Sequence, residues 1–421
     1  MNSLIEIDDN RMNSGITVCL GADVSEGYVL RYELHRTEHF EFTAMALGLE
    51  TPQQIGERLA AQVIATLDER NEQPDRIACD LYPKFPTTYA AEVLSEHYAV
   101  PMLRMQKCHR AILDAMDRRE NVLGVCLDDL SYGSDGTLWG GEILEISGEG
   151  FTRLASIHPY QLIGTNMELH SSTPWQTAVS MLYDLARMSH NEDEAIRDFV
   201  AKQEASEKVH LLDLCSLNDA RAQYIAQDRN KNTTRSTAAS GLLDAAAAIL
   251  GFQRISTPTG RSPMEALTEA AEAFEHNRKS KSQIDALYAK LGKLIASAEE
   301  MEDPTLEPGD LWEDTDDGAF SETSADDSPD ILHSEQLIRL LADERIRYLL
   351  SLGKRNYDRP LNLKKPDDGR SDDNSRLLAW FLLDALATTT IQYCRGHNAL
   401  NITFAGNYLK SGYLLDVFET K

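Results

Sequence analysis

Short apolar runs alternate with longer stretches of helical spacing through the first third of the chain. Residues 18–20, 28–31, 76–81, 122–127 and 401–404 read as strands, being brief and rich in apolar side chains. Residues 52–70, 87–97 and 110–118 place apolar side chains three and four apart and read as amphipathic helices. The character then changes. Helical patterns dominate from 173 to 297, at 175–188, 194–204, 240–250, 263–276 and 283–297, and continue at 334–352 and 376–394. Strands alternating with helices predict an α/β sheet, and the late strand at 401–404 returns to it. No sequence repeat of about 20–50 residues is visible.

The pattern divides the chain into five parts: a tail at 1–15, a first α/β lobe at 16–172 and a helix-rich second lobe at 173–298. An insertion follows at 299–330, then C-terminal helices and a final strand at 331–421 that complete the second lobe. Much of the net charge of −27, from 41 basic and 68 acidic residues, sits in that insertion. It is acidic and rich in Pro, Gly, Ser and Thr, as disordered segments are, and reads as a solvated linker or a docking segment for a basic partner. Residues 354–376 read as a second long loop, a surface insertion or a lid. The acidic balance opposes general nucleic-acid binding, which relies on basic surface. No run of 18 apolar residues predicts a membrane span, and the first residues lack the layout of a signal peptide, so a cytoplasmic protein is expected. The six cysteines are scattered without a CxxC pair; Cys19 and Cys126 lie in strand-like runs and read as core residues.

One stretch carries candidate chemistry. The strand 122–127 runs into Asp128 and Asp129, and then Tyr132, Gly133, Asp135, Gly136, Thr137, Gly140, Gly141 and Glu142 follow. Glycines bring backbone N–H groups close to a ligand, and carboxylates at a strand end hold a metal, water or hydroxyl. That chemistry suits a nucleotide- or phosphate-binding turn. The same residues also suit a hairpin with a Gly-rich bend.

This segment resembles Leu-Asp-Gly-x-Gly-x-Gly-x-Asp-Gly-x-x-Trp-Gly-Gly-Glu of the hydrogenase-maturation carbamoyltransferases. Further resemblances follow in the same order. Residues 18–23 look like the opening strand and turn of that domain. Cys79-Asp80-Leu81-Tyr82-Pro83 with Thr87-Thr88-Tyr89-Ala90 looks like Asp-Leu-His-Pro…Ser-Thr-Arg-Tyr-Ala. Gln106-Lys107-Cys108-His109-Arg110-Ala111 falls where the family has Gln-His-His-His-Ala-His. Residues 234–251 resemble Thr-Ser-Ser-x-Gly-Arg-Leu-Phe-Asp-Ala-Val-Ala-Ala-Leu-Leu-Gly, and residues 401–411 sit at the strand and turn Ser-Gly-Gly-Val-Phe-Gln-Asn. The family shares an actin/Hsp70-like two-lobed α/β fold with the tRNA threonylcarbamoyl-transferase subunit and with antibiotic O-carbamoyltransferases. The resemblance therefore implies that fold, with a nucleotide cleft between the lobes.

The chain departs from the family at its site. The family's metal is held by the first and last histidines of the His-rich motif and a later aspartate; here those histidines are Lys107 and Ala111, and nothing replaces the last aspartate. Cys108 and His109 are individually good ligands for zinc or iron, but they are adjacent and point apart. No iron or zinc is therefore expected. His158 and His170 read as solvated. Two family glycines become Asp129 and Ser131, Pro-Gly-Gly-Asp becomes Ile163-Gly164-Thr165-Asn166, and Ser-Gly-Gly becomes Ala405-Gly406-Asn407. The last form is also similar to the equivalent turn of type II pantothenate kinases. The chain opens almost directly on the transferase-like part, so a carbamoyl-adenylate is expected from a separate protein or by another mechanism.

Three functions are compatible with these residues. In an ATP-dependent carbamoyl- or acyl-transferase with a remodelled site, Asp128, Tyr132, Gly133, Asp135, Gly136 and Thr137 hold phosphates or an acyl-adenylate. Gly406 and Asn407 then flank the adenine, Asp23 sits near the triphosphate, and magnesium accompanies the nucleotide. A non-catalytic relative would keep the fold as a nucleotide-binding or scaffold subunit of a larger assembly. An actin-like small-molecule kinase would use Asp128 as catalytic base.

Overall fold

A computed structural model describes residues 15–21, 27–32, 37–42, 50–115, 122–147, 150–163, 173–189, 193–229, 233–253, 261–274, 276, 278–301, 329–352, 372–397, 401–409 and 412–421. Asp23, residues 164–166, His170 and nearly all of the two long polar stretches lie outside them.

The first unit holds strands β1 (Thr17–Leu20), β2 (Tyr28–Arg31), β3 (Thr37–Phe40), β4 (Arg76–Asp80) and β5 (Met102–Met105), in the order β3-β2-β1-β4-β5. β1 runs antiparallel to β2 and parallel to β4. Helices α1 (Pro52–Arg70) and α2 (Pro86–Tyr98) pack together against it. Helix α1 starts where the sequence says it should: Thr51 and Gln54 form a capping box, with Pro52 in the first turn. Its buried Gly56, Leu59, Ala60, Val63 and Leu67 recur at helical spacing and join a core with Val18, Leu30, Ile77 and Leu94.

The second unit is a seven-stranded sheet covered by helices. Its spine is β6 (Val122–Tyr132), which pairs antiparallel with β7 (Leu138–Ser147) and parallel with β12 (Ile402–Ala405). β8 (Gly150–Ile157) continues beside β7, and β9 (Tyr160–Ile163), β10 (Thr233–Ser236) and β11 (Asp330–Leu332) complete the sheet. The order β8-β7-β6-β12 repeats β3-β2-β1-β4: an antiparallel meander, then a fourth strand parallel to its first. The protein is thus a two-lobed α/β fold. Its helical layer comprises α4 (Pro174–Met188), α5 (Glu194–Leu211), α6 (Leu217–Asp228), α7 (Ala239–Leu250), α8 (Pro263–Glu272), α9 (Arg278–Met301), α10 (Ser334–Ser351), α11 (Asp373–Gly396) and α12 (Tyr413–Glu419).

The sheets divide between Met105 and Val122, not near residue 172. β6–β9 were expected in the first lobe by their order in the chain, yet their apolar faces join the core of α4, α7 and α11. The turning point is α3 (Lys107–Ala115). It follows β5 but buries Cys108 and Ile112 against Cys126, Leu144 and Ala405 of the second sheet. Helix α11 is long and apolar enough to cross a membrane by length and composition, and 67% of its apolar window is buried inside the fold.

Candidate functional site

Residues 128–142 fold as the β6–β7 hairpin, with a register shift between Leu127 and Ser131. Its tip closes by Gly133 N–H donating to Thr137 O at 2.8 Å and Gly136 N–H to Gly133 O at 3.2 Å. Gly136 takes φ +79°, a left-handed conformation that favours glycine. Asp135 Oδ1 accepts from the Thr137 N–H and hydroxyl and from Trp139 Nε1, and its Oδ2 accepts from Arg153 Nη1 at 3.0 Å. Arg153 also donates through Nε to Glu142 at 2.7 Å and through Nη2 to Thr237, and its guanidinium lies 4.0 Å from the Trp139 ring centroid. Glu142 is buried and accepts from the Gly140 and Gly141 N–H groups and the Thr237 hydroxyl. The segment is a β-hairpin, and Asp135 and Glu142 bond within it.

A second group gathers where β6, β12 and α7 meet. Asp128 is buried and accepts from Lys107 Nζ at 3.1 Å. Burial works against the Lys107 ammonium, but the Asp128 and Asp129 carboxylates prevail and hold its pKa above the ordinary value. Asp129 accepts from Asn407 Nδ2 at 3.1 Å and from the Tyr408 hydroxyl. Ser131 accepts from Gln106 Nε2 at 3.0 Å and donates to Trp139 O. Tyr132 packs on Tyr82 with centroids 5.5 Å apart. Lys107–Asp128, Gln106–Ser131 and Tyr82–Tyr132 therefore join the first sheet to the hairpin of the second.

Gly406 packs directly against the backbone of β6. It takes φ +89°, and a Cβ there would lie 2.3 Å from Leu127 O and 3.1 Å from Asp128 Cβ. Its lack of a side chain is required by the backbone of β6. Asn407 and Tyr408 then reach Asp129. The structure thus brings Asp128, Gly406 and Asn407 together and sets Gly133, Asp135, Gly136 and Thr137 apart, at the hairpin tip.

Asp244 stood out less in the sequence than it does here. It is buried on α7, whose residues 239–250 are otherwise apolar or glycine apart from Ser240. Burial and the nearby Asp129 carboxylate push its pKa up to about 8, which favours the protonated form near neutral pH. The signal was present: a lone carboxylate in an apolar helix is paired, protonated or functional.

A family metal was tested against the residues present. Lys107 Nζ is a donor to Asp128, and Ala111 offers no donor atom. His109 is buried with its ring 4.7 Å from Phe151, and burial lowers its pKa to about 4. Cys108 faces Cys126, whose pKa that hydrogen bond and burial hold well above the usual thiol range. These side chains diverge and do not fit a metal. His158, expected in solvent, lies 3.4 Å from the buried Glu335 instead. Lys107→His with Ala111→His would put two imidazoles one helical turn apart beside Asp128. Elemental analysis of that variant is expected to show zinc or iron rising toward stoichiometric occupancy, without transferase activity; occupancy no higher than wild type would contradict this geometry.

Residues 124–311 match the family described as "Carbamoyltransferase, Kae1-like Domain, second subdomain". The chain is 31% identical over 188 residues to the carbamoyltransferase HypF homolog of Cupriavidus necator, covering 44% of this chain and 43% of that protein. It is 30% identical over 223 residues to carbamoyltransferase HypF of Rhizobium leguminosarum bv. viciae, covering 52% of this chain and 26% of that one. A crystal structure of full-length HypF in the phosphate- and nucleotide-bound form aligns with TM-score 0.62 at 16% identity, over 97% of this chain and 51% of that one. Residues 124–311 are therefore similar to the second subdomain of HypF-type carbamoyltransferases, and the whole chain shares the fold of HypF. The chain spans less than half the length of these curated relatives.

Proposed function

We propose that the protein is an ATP-dependent, carbamoyltransferase-like protein that handles a carbamoyl- or acyl-adenylate in a remodelled site where β6, β12 and α7 meet. The observation that carries this is the convergence there of Asp128, Asp129, Gly406, Asn407 and Asp244 with the Lys107 ammonium. A fixed ammonium, an amide and a neutral carboxylic acid can stabilise charge on a carbonyl and on a nucleotide leaving group by position and electrostatics. The relative solved with phosphate and nucleotide bound supports the same ligand class; magnesium would accompany the nucleotide here as its counter-ion. The carbamoyl-adenylate would come from a separate protein or another subunit of the assembly, in the cytoplasm.

One observation favours a second reading, a non-catalytic subunit. Lys107, Asp128, Asp129 and Arg153 are each bonded within the chain. Asp128, the candidate base of a kinase, is among them. Calorimetry with ATP, ADP, AMP and 5′-O-sulfamoyladenosine, a stable mimic of the carbamoyl-adenylate, separates the transferase from a scaffold that binds no nucleotide. Binding is expected, weakened by Asn407→Ala. If nothing binds at millimolar ligand, the scaffold reading stands and the transferase reading falls.

A further inference from the structure

We propose that Lys107 is a built-in cation, standing where the related carbamoyltransferases place a metal-ligating histidine and locking the first sheet to β6 of the second without a metal ion. Four observations carry this. Lys107 occupies the first histidine position of the motif and opens α3, directly after β5. Its ammonium reaches the Asp128 carboxylate at 3.1 Å, and the two side chains are only 12% and 2% exposed. The other motif position, Ala111, brings no ligand, while Cys108 and Ile112 turn into the core behind it. Finally, the flanking Gln106–Ser131 bond makes the junction continuous, and Ser131 also stands where the family has a glycine.

The physical consequence is asymmetric. A buried ion pair contributes little net stability compared with an apolar pair, but removing one partner strands the other charge without water. A metal ion at the same place would add positive charge beside an ammonium already in hydrogen-bond contact with the carboxylate, and the two would repel. The Lys107 ammonium thus takes the place beside Asp128 that a metal ion would need. Nothing in this depends on whether the protein transfers a carbamoyl group.

The test uses the full chain, with elemental analysis and thermal unfolding with and without EDTA. Wild type is expected to carry no stoichiometric divalent metal and to melt at the same temperature in EDTA. Lys107→Met should lower the midpoint by about 5–10 °C, and Asp128→Asn should also lower it. The double variant should melt above the sum of the two losses, because each single change strands a charge that the double change removes. Lys107→Arg, which keeps the charge, should melt above Lys107→Gln, a comparison that serves even where Lys107→Met does not fold. A stoichiometric metal in wild type, strictly additive single losses, or equal midpoints for the Arg and Gln variants would each overturn the proposal.

Discussion

Replacing Asp244 by Asn is expected to stabilise the protein at pH 9 and to change little at pH 4. Burial and Asp129 raise the folded-state pKa of Asp244 to about 8, while the unfolded value is near the ordinary ~3.9. Between those values the native state holds a proton that the unfolded state has released. Stability therefore falls as pH rises from about 4 to about 8 and stays lower above that. An amide carries no such charge. Each pKa unit corresponds to about 1.4 kcal/mol, so the variant should gain about 2–5 kcal/mol at high pH, less what local rearrangement recovers. Asp184, raised to about 7 by burial, tilts the wild-type profile in the same direction. The difference between wild type and variant isolates Asp244. Urea unfolding at both pH values reads it, and a difference independent of pH would show that the Asp244 charge is compensated in the folded protein.

The same residue shows what the sequence made legible and what it did not. Strands such as 18–20 and 122–127 and helices such as 52–70 were readable because burial imposes their periodicity locally. β7 and β8 were not read as strands. Leu138–Ser147 carries Gly140, Gly141 and Glu142 at its centre, residues that look like loop until Arg153 on the next strand and the Thr237 hydroxyl partner that glutamate. The repeated strand order of the two sheets left no repeat in the sequence, because topology asks only for apolar faces, not for particular residues. The lobe boundary was misplaced for a related reason. Chain order favours grouping β6 with β5, but α3 crosses to the other core through Cys108 and Ile112, contacts no local pattern records.

The site was legible as a list of positions but not as a set of partners. Asp128, Gly406 and Asn407 lie together in the fold. That Lys107 answers Asp128, Asn407 answers Asp129 and Gln106 answers Ser131 could not be read from spacing, since each pair joins segments 21 or more residues apart. Those pairings change how the departures from the family are understood. Taken singly they look like losses; in the fold the substituted positions Lys107, Asp129, Ser131 and Asn407 all bond within this one site, two of them to each other.

Glu142→Gln is expected to be the most damaging single change in the hairpin. Glu142 Oε1 accepts from the Gly140 and Gly141 N–H groups and the Thr237 hydroxyl, and Oε2 accepts from Arg153 Nε at 2.7 Å. An amide of the same shape can keep one side of this arrangement only; its NH₂ must then face either the Arg153 Nε–H or the backbone N–H groups, donor against donor. The guanidinium is 13% exposed and would lose its buried counter-charge. A loss of about 3–5 kcal/mol follows, partly restored by Arg153→Met in the same chain, since that removes the stranded cation. Urea unfolding of the two single variants and the double variant measures both effects. The result also decides what the resemblance in residues 133–142 means. If the variant unfolds early, those residues are retained because the hairpin cannot close without them, and their likeness to the carbamoyltransferases speaks for the fold. If it stays within about 1 kcal/mol of wild type but loses sulfamoyladenosine binding, Glu142 serves the ligand, and this part of the hairpin belongs to the site.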